Sequence, residues 1–182
     1  TGCAKLCADL KLQPKASTGL THLYLDGNKI GHAGCKALAD LVSTPLAHGG
    51  LVLLSLNRCH LLDEDVQAMS ENLDQTDFLQ SLLMDDNDNL SDVSVLALAH
   101  AFEINRSIVT VSMRRCAVLG PGVKELSDVL AAQDAGTLLT FDLEGNHLTE
   151  EGLLYRSLVE GSLNGNQLNA LTPMGQLSQR SS

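Results

Sequence analysis

The sequence predicts an α/β protein built from repeats, and three observations carry that reading. A nine-residue frame, L-x-x-L-x-L-x-x-N, recurs five times: LTHLYLDGN from Leu20, LVLLSLNRC from Leu51, LQSLLMDDN from Leu79, IVTVSMRRC from Ile108 and LLTFDLEGN from Leu138. Its ninth residues are Asn28, Cys59, Asn87, Cys116 and Asn146, in steps of 31, 28, 29 and 30, and self-similarity at such a period marks a repeat architecture. Inside the frame, alternate residues such as Leu23 and Leu25 enter a core as they would from a short strand. Beyond it, apolar residues return four apart (Leu38 and Val42, Met69 and Leu73, Leu126 and Leu130), which places each pair on one helix face.

The ninth residue has a physical role. After the strand the chain turns away and leaves backbone groups unpaired inside the molecule. An Asn side chain offers donors and an acceptor for them and can stack as a ladder from repeat to repeat. A Cys thiol is a weaker partner but small and at home when buried. Ile30, Leu61, Leu90, Val118 and Leu148, two or three residues on, then re-enter the core.

These motifs resemble the leucine-rich repeat family, and specifically its long ribonuclease-inhibitor-like subclass, in which the ninth position alternates between Asn and Cys. The resemblance covers residues 1–160. It implies a leucine-rich-repeat solenoid, curved, with a parallel β-sheet on the concave side and α-helices on the convex side.

Taken in order, TGCAKLCADL at the start matches the helical half of a preceding repeat, with Gly2, Leu6 and Leu10 in register. Residues 1–19 are therefore read as that half repeat plus a connection, and the chain is expected to be the C-terminal part of a longer array. Residues 20–160 hold the five repeats. Six positions past the ladder residue stand Gly34, Asp65, Gly122 and Gly152. The third repeat fits the helical frame, through Leu98 and Phe102, if one residue is inserted in its turn, DNDNL. In the fifth, the core positions of the helix fall on Arg156 and Glu160, so that helix is expected to be rotated, shortened or absent, as suits a terminal cell with no neighbour to cover it. Residues 161–182 are small and polar, and are expected to be disordered or a degenerate cap.

Composition narrows the function. The 182 residues are 44% apolar but only 3% aromatic, and the net charge is −10. That charge argues against a nucleic-acid partner, which needs clustered Lys and Arg, and fits a protein partner, one with a basic surface among the options. Five cysteines, odd in number and without paired spacing, read as reduced thiols. The longest apolar stretches, such as VLALA from Val95, are too short for membrane insertion. The expected compartment is the cytoplasm, with the nucleus and the cytoskeleton left open.

In a parallel sheet the residues that avoid the core face outward, here the third, fifth and seventh of each frame, with the eighth at the rim. The fifth row reads Tyr24, Ser55, Leu83, Ser112, Asp142; the seventh reads Asp26, Asn57, Asp85, Arg114, Glu144; the rim adds Arg58, Asp86 and Arg115. The candidate binding face is Tyr24, Asp26, Asn57, Arg58, Leu83, Asp85, Arg114, Arg115, Asp142 and Glu144, with Tyr24 and Leu83 as anchors and Arg114 seated between Asp85 and Glu144. The plainer alternative is that Arg114 only neutralises its neighbours.

Other motifs are weaker. LGPGVKEL from Leu119 has the glycine, proline and Lys124 of an anion site at a helix start, but Gly122 holds the repeat's usual glycine position and Pro121 suits a first helical turn. MDDNDN lacks the Glu that would end a calcium loop. Cys3 and Cys7 share a helix face without a second ligand pair, and the six histidines are scattered. No metal, cofactor or catalytic residue is assigned. The leading function is a non-catalytic protein–protein interaction scaffold. The alternatives are a regulator of a small GTPase similar to Ran-type activators, a sensing or inhibitory region as in ribonuclease inhibitors and innate immune receptors, and a structural subunit of a cytoskeletal or ciliary assembly.

Overall fold

Each repeat turns its frame into a three-residue strand and its second half into a helix. In the computed structural model, which describes residues 2–12, 19–45, 50–132 and 137–171, the order is α1 (Gly2–Leu12), β1 (His22–Tyr24), α2 (His32–Val42), β2 (Leu53–Ser55), α3 (Asp63–Ser70), β3 (Ser81–Leu83), α4 (Asp92–Phe102), β4 (Thr110–Ser112), α5 (Pro121–Ala131), β5 (Thr140–Asp142) and α6 (Glu150–Leu171). The strands form one parallel sheet in sequence order, and each helix packs on the next along the opposite side. The fold is an α/β leucine-rich-repeat solenoid.

Between sheet and helices lies one continuous apolar core. Leu38, Leu54, Leu61, Leu82, Val111 and Leu126 are fully buried in it, each large side chain stabilising the fold by about 1.5–3 kcal/mol relative to exposure. The returning residues Ile30, Leu61, Leu90 and Val118 are buried, and Leu148 packs against the cluster at the last repeat. Phe102 meets Phe141 edge-on at 6.4 Å, joining the third and fifth repeats where aromatics are scarce.

The eighth frame position makes the turn out of the sheet. All five occupants are left-handed: Gly27 (φ 72°), Arg58 (φ 54°), Asp86 (φ 58°), Arg115 (φ 50°) and Gly145 (φ 76°). Three carry side chains and so hold a conformation that costs about 1–2 kcal/mol, offset by the hydrogen bonds the turn makes. The glycines six past the ladder have a different cause. A Cβ on Gly122 or Gly152 would fall inside the backbone of the preceding repeat, at Asp92 and Leu119 respectively.

The last helix is rotated rather than shortened or absent. It buries Gly152, Val159 and Leu163, with Tyr155 half-buried, while Arg156 and Glu160 turn outward and pair with each other. It also runs to Leu171, so residues 161–171, expected to be disordered or a degenerate cap, continue α6, and Leu163 helps close the core. The rest of that expectation, residues 172–182, lies outside the described residues.

Candidate functional site

The ladder positions form bonds between repeats. Asn87 is buried; its Oδ1 accepts from the Cys59 N–H (2.9 Å) and the Leu61 N–H (3.1 Å) of the preceding repeat. Its amide donates to the carbonyls of Leu56 (3.0 Å) and Met84 (2.9 Å). Asn146 repeats the pattern one pair of repeats later, accepting from Cys116 and Val118 and donating to Met113 and Leu143. Cys59 and Cys116 reach back more weakly, their thiols donating to the carbonyls of Leu25 (3.2 Å) and Met84 (3.5 Å). Asn28, in the first repeat, is exposed, and among the described residues its side chain bonds within its own turn, to Leu25 and Asp26. Burial pushes the Cys59 and Cys116 thiols up, Cys116 to about 11. All five cysteines are free.

The strand register aligns the fifth row residue by residue: Tyr24, Ser55, Leu83, Ser112 and Asp142 are successive partners across the sheet. Tyr24 is 61% exposed and stacks on His22 at 6.5 Å. Leu83 and Asp142 are half-buried, whereas Ser55 and Ser112 are covered.

The covering comes from the seventh row, where Asp26 and Asp85, both expected on the binding face, also bond the next repeat. Asp26 Oδ1 accepts from the Ser55 hydroxyl (2.6 Å) and from the Asn57 N–H (2.9 Å). Asn57 Oδ1 accepts from the Asp85 N–H (2.7 Å). Asp85 Oδ1 accepts from the Ser112 hydroxyl (2.6 Å) and the Arg114 N–H (2.9 Å). Asp26, Asn57 and Asp85 thus form a second ladder, each satisfying a main-chain donor of the next repeat. Arg114 does not bridge Asp85 and Glu144: Asp85 is occupied in this way, and the guanidinium turns to Glu144 and, at 3.8 Å, to Asp142. At the rim Arg115 grips Asp86 with two bonds (2.6 and 2.9 Å), which holds the Asp86 carboxyl below its ordinary range. Arg58 is exposed.

No family model matches the chain. The ribonuclease inhibitor of Sus scrofa is 26% identical over 153 residues, which are 84% of this chain and 32% of that protein. The NACHT, LRR and PYD domains-containing protein 3 of Bos taurus is 30% identical over 118 residues, 64% of this chain and 11% of that protein. The chain is a leucine-rich-repeat protein of the ribonuclease-inhibitor-like kind. It spans about a third of the first relative and about a tenth of the second. Two solved structures share the fold at a TM-score of 0.72. One, titled leiomodin-1 actin-binding site 2, is 16% identical, with 90% of each chain covered. The other, a Caenorhabditis elegans tropomodulin C-terminal domain, is 15% identical, with 92% of this chain and 95% of that one covered.

The weaker motifs of this repeat protein also find places. The helix start in LGPGVKEL does receive an anion, its own chain's: the Asp92 carboxylate accepts from the N–H groups of Leu119, Gly120 and Gly122, all at 2.9 Å. Asp63 serves the preceding junction in the same way, accepting from the Ser91 N–H (2.9 Å) and hydroxyl (2.6 Å). The sequence signal for this is an Asp opening two successive helices, α3 and α4. Among the described residues no helix is long and apolar enough to cross a membrane.

Proposed function

We propose that the chain is a non-catalytic scaffold that binds another protein through the concave face. The observation that carries this is the division of labour on that face. Asp26, Asn57 and Asp85 are spent on inter-repeat bonds, whereas Tyr24, Arg58, Leu83, Asp142 and Glu144 leave apolar and charged surface to solvent in aligned rows. Tyr and Arg are among the residues that most often dominate binding energy, and Glu144, which shares Arg114 with Asp142 but stays exposed, favours a partner with a basic patch. The relatives lend support at the level of class: one is by name an inhibitor of ribonucleases, and a fold neighbour is an actin-binding site of leiomodin-1.

The test uses the parent protein as bait, with mass spectrometry of what is retained, comparing wild type with a Tyr24→Ala, Glu144→Lys double variant. Neither side chain takes part in the two ladders, so the variant keeps the solenoid. A partner held by wild type and lost by the variant supports the reading. Equal retention moves binding off the concave sheet, and a wild type that retains nothing removes the scaffold. A regulator of a small GTPase would instead accelerate GTP hydrolysis, which a panel of such GTPases measures directly.

A further inference from the structure

The column six past the ladder is glycine in three repeats, but in the second it is Asp65, and the exception is buried. Asp65 lies in the first turn of α3 with its side chain 2% exposed. One carboxylate oxygen, Oδ2, accepts from the Leu62 N–H at 2.9 Å and caps the helix. The other, Oδ1, is buried and accepts no hydrogen bond. It faces His32, the first residue of α2, whose Nδ1 stands 3.3 Å away. Glu64, exposed in the same turn of α3, completes a set of three whose donor atoms lie within 4.8 Å of one another. All three line a cavity between the first and second repeats, together with His60 and Lys29.

We propose that His32, Glu64 and Asp65 form a binding site for a divalent ion of the zinc type. The separation suits it. Two donors at about 2.0–2.1 Å from a tetrahedral ion are about 3.3–3.4 Å apart, the distance between His32 Nδ1 and Asp65 Oδ1. The donor set of one imidazole and two carboxylates matches a borderline ion better than calcium, which takes oxygen ligands throughout. A buried carboxylate oxygen without a partner is unfavourable, and an ion would satisfy it. Two carboxylates outweigh Lys29, which is exposed and free to swing out. Three protein ligands leave a fourth position for water, and the ion would clamp the start of α2 to the start of α3. The spacing concealed the site, because His32 lies 32 and 33 residues before Glu64 and Asp65, in the preceding repeat.

The test is titration with zinc chloride alone, followed by calorimetry and thermal melting, then by cobalt substitution and its visible spectrum. Wild type should bind one equivalent with a His-containing cobalt spectrum free of thiolate charge transfer. At a hundredfold excess over Kd the melting temperature should rise by about 5–10 °C. His32→Ala and Glu64→Gln, both at exposed positions, should each weaken binding by about tenfold or more. Asp65→Asn should abolish it, and if that variant fails to fold the other two still decide. The proposal is overturned by the absence of saturable binding, by affinity unchanged in His32→Ala, or by thiolate bands that place the ion on the cysteines.

Discussion

Removing one ladder amide should destabilise the solenoid far more than removing another of identical chemistry. In Asn87→Ala, the N–H groups of Cys59 and Leu61 lose their acceptor and the carbonyls of Leu56 and Met84 lose a donor. The two orphaned N–H groups are buried, and each costs about 1–3 kcal/mol. The carbonyls tolerate the loss better, since a second lone pair is engaged less strictly. The sum is about 2–6 kcal/mol, a large share of the roughly 5–15 kcal/mol that holds a domain together. Asn28→Ala deletes the same group from an exposed turn where it bonds only its own repeat, so its loss should stay below about 1 kcal/mol. Urea denaturation followed by circular dichroism reads both. With a slope of about 2–3 kcal/mol/M the Asn87 midpoint should fall by about 1–3 M. Asn87→Cys should fall between, because a thiol donates to a carbonyl as Cys116 does but accepts only weakly. Equal midpoints for Asn28→Ala and Asn87→Ala would show that the ladder contributes nothing beyond its own turn, and the reasoning would fail.

Glycine substitutions should differ in sign. Gly122→Ala drives a Cβ into the Asp92 backbone and should cost about 1–3 kcal/mol, whereas Gly161→Ala, with open space around it, should gain about 0.5–1 kcal/mol in α6; thermal melts of the pair check this. Asp92→Ala leaves three N–H groups at the start of α5 without their acceptor, and should lower the melting temperature more than Asp128→Ala, whose carboxylate is exposed and pairs only with Lys124. The Cys35 thiol is pushed up to about 12, first by burial and then by the charge of Asp65. Because this folded value lies above the ordinary one of about 8.5, its contribution to stability is complete below that pH and is lost as pH rises toward 12. Alkylation followed by peptide mapping should find Cys35 unreacted at pH 8 in the native protein and reacted in urea.

The repeats were legible because their physics is local and periodic. Strand alternation, the four-residue helix step and the ladder residue each recur, and five copies outvote any irregular one. The phase of α6 was not legible, because it is set by how the helix packs on α5, and its core side slips to Tyr155, Val159 and Leu163. The second ladder was visible in part: Asp26, Asn57 and Asp85 all carry a side-chain oxygen at the seventh position. Without the register, nothing showed that this oxygen meets the next repeat's N–H rather than solvent. Arg114 breaks the row, having no oxygen to offer, and there the pattern of pairing changes to the acids of the fifth repeat. Asp65 was noticed in the glycine column, but its burial and its approach to His32 depend on how two helices pack.

The direction of these bonds bears on where a partner can dock. Asp26, Asn57 and Asp85 on the sheet side, and Asp63 and Asp92 on the helix side, each reach forward to the next repeat. Asn87 and Asn146 reach back. A polar residue in these rows is therefore tied to a neighbouring repeat, and substituting it perturbs the curvature that any partner would read. Loss of binding in such a variant says little about contact. Three residues of the fifth row and the rim are different: Tyr24, Leu83 and Arg58, unlike Ser55 and Ser112, contribute no side-chain bond to the ladders, so the solenoid does not depend on what they are. Residues free of that duty are the ones a repeat protein can vary to choose its partner without altering its shape, and binding lost at those positions alone would identify contact rather than collapse.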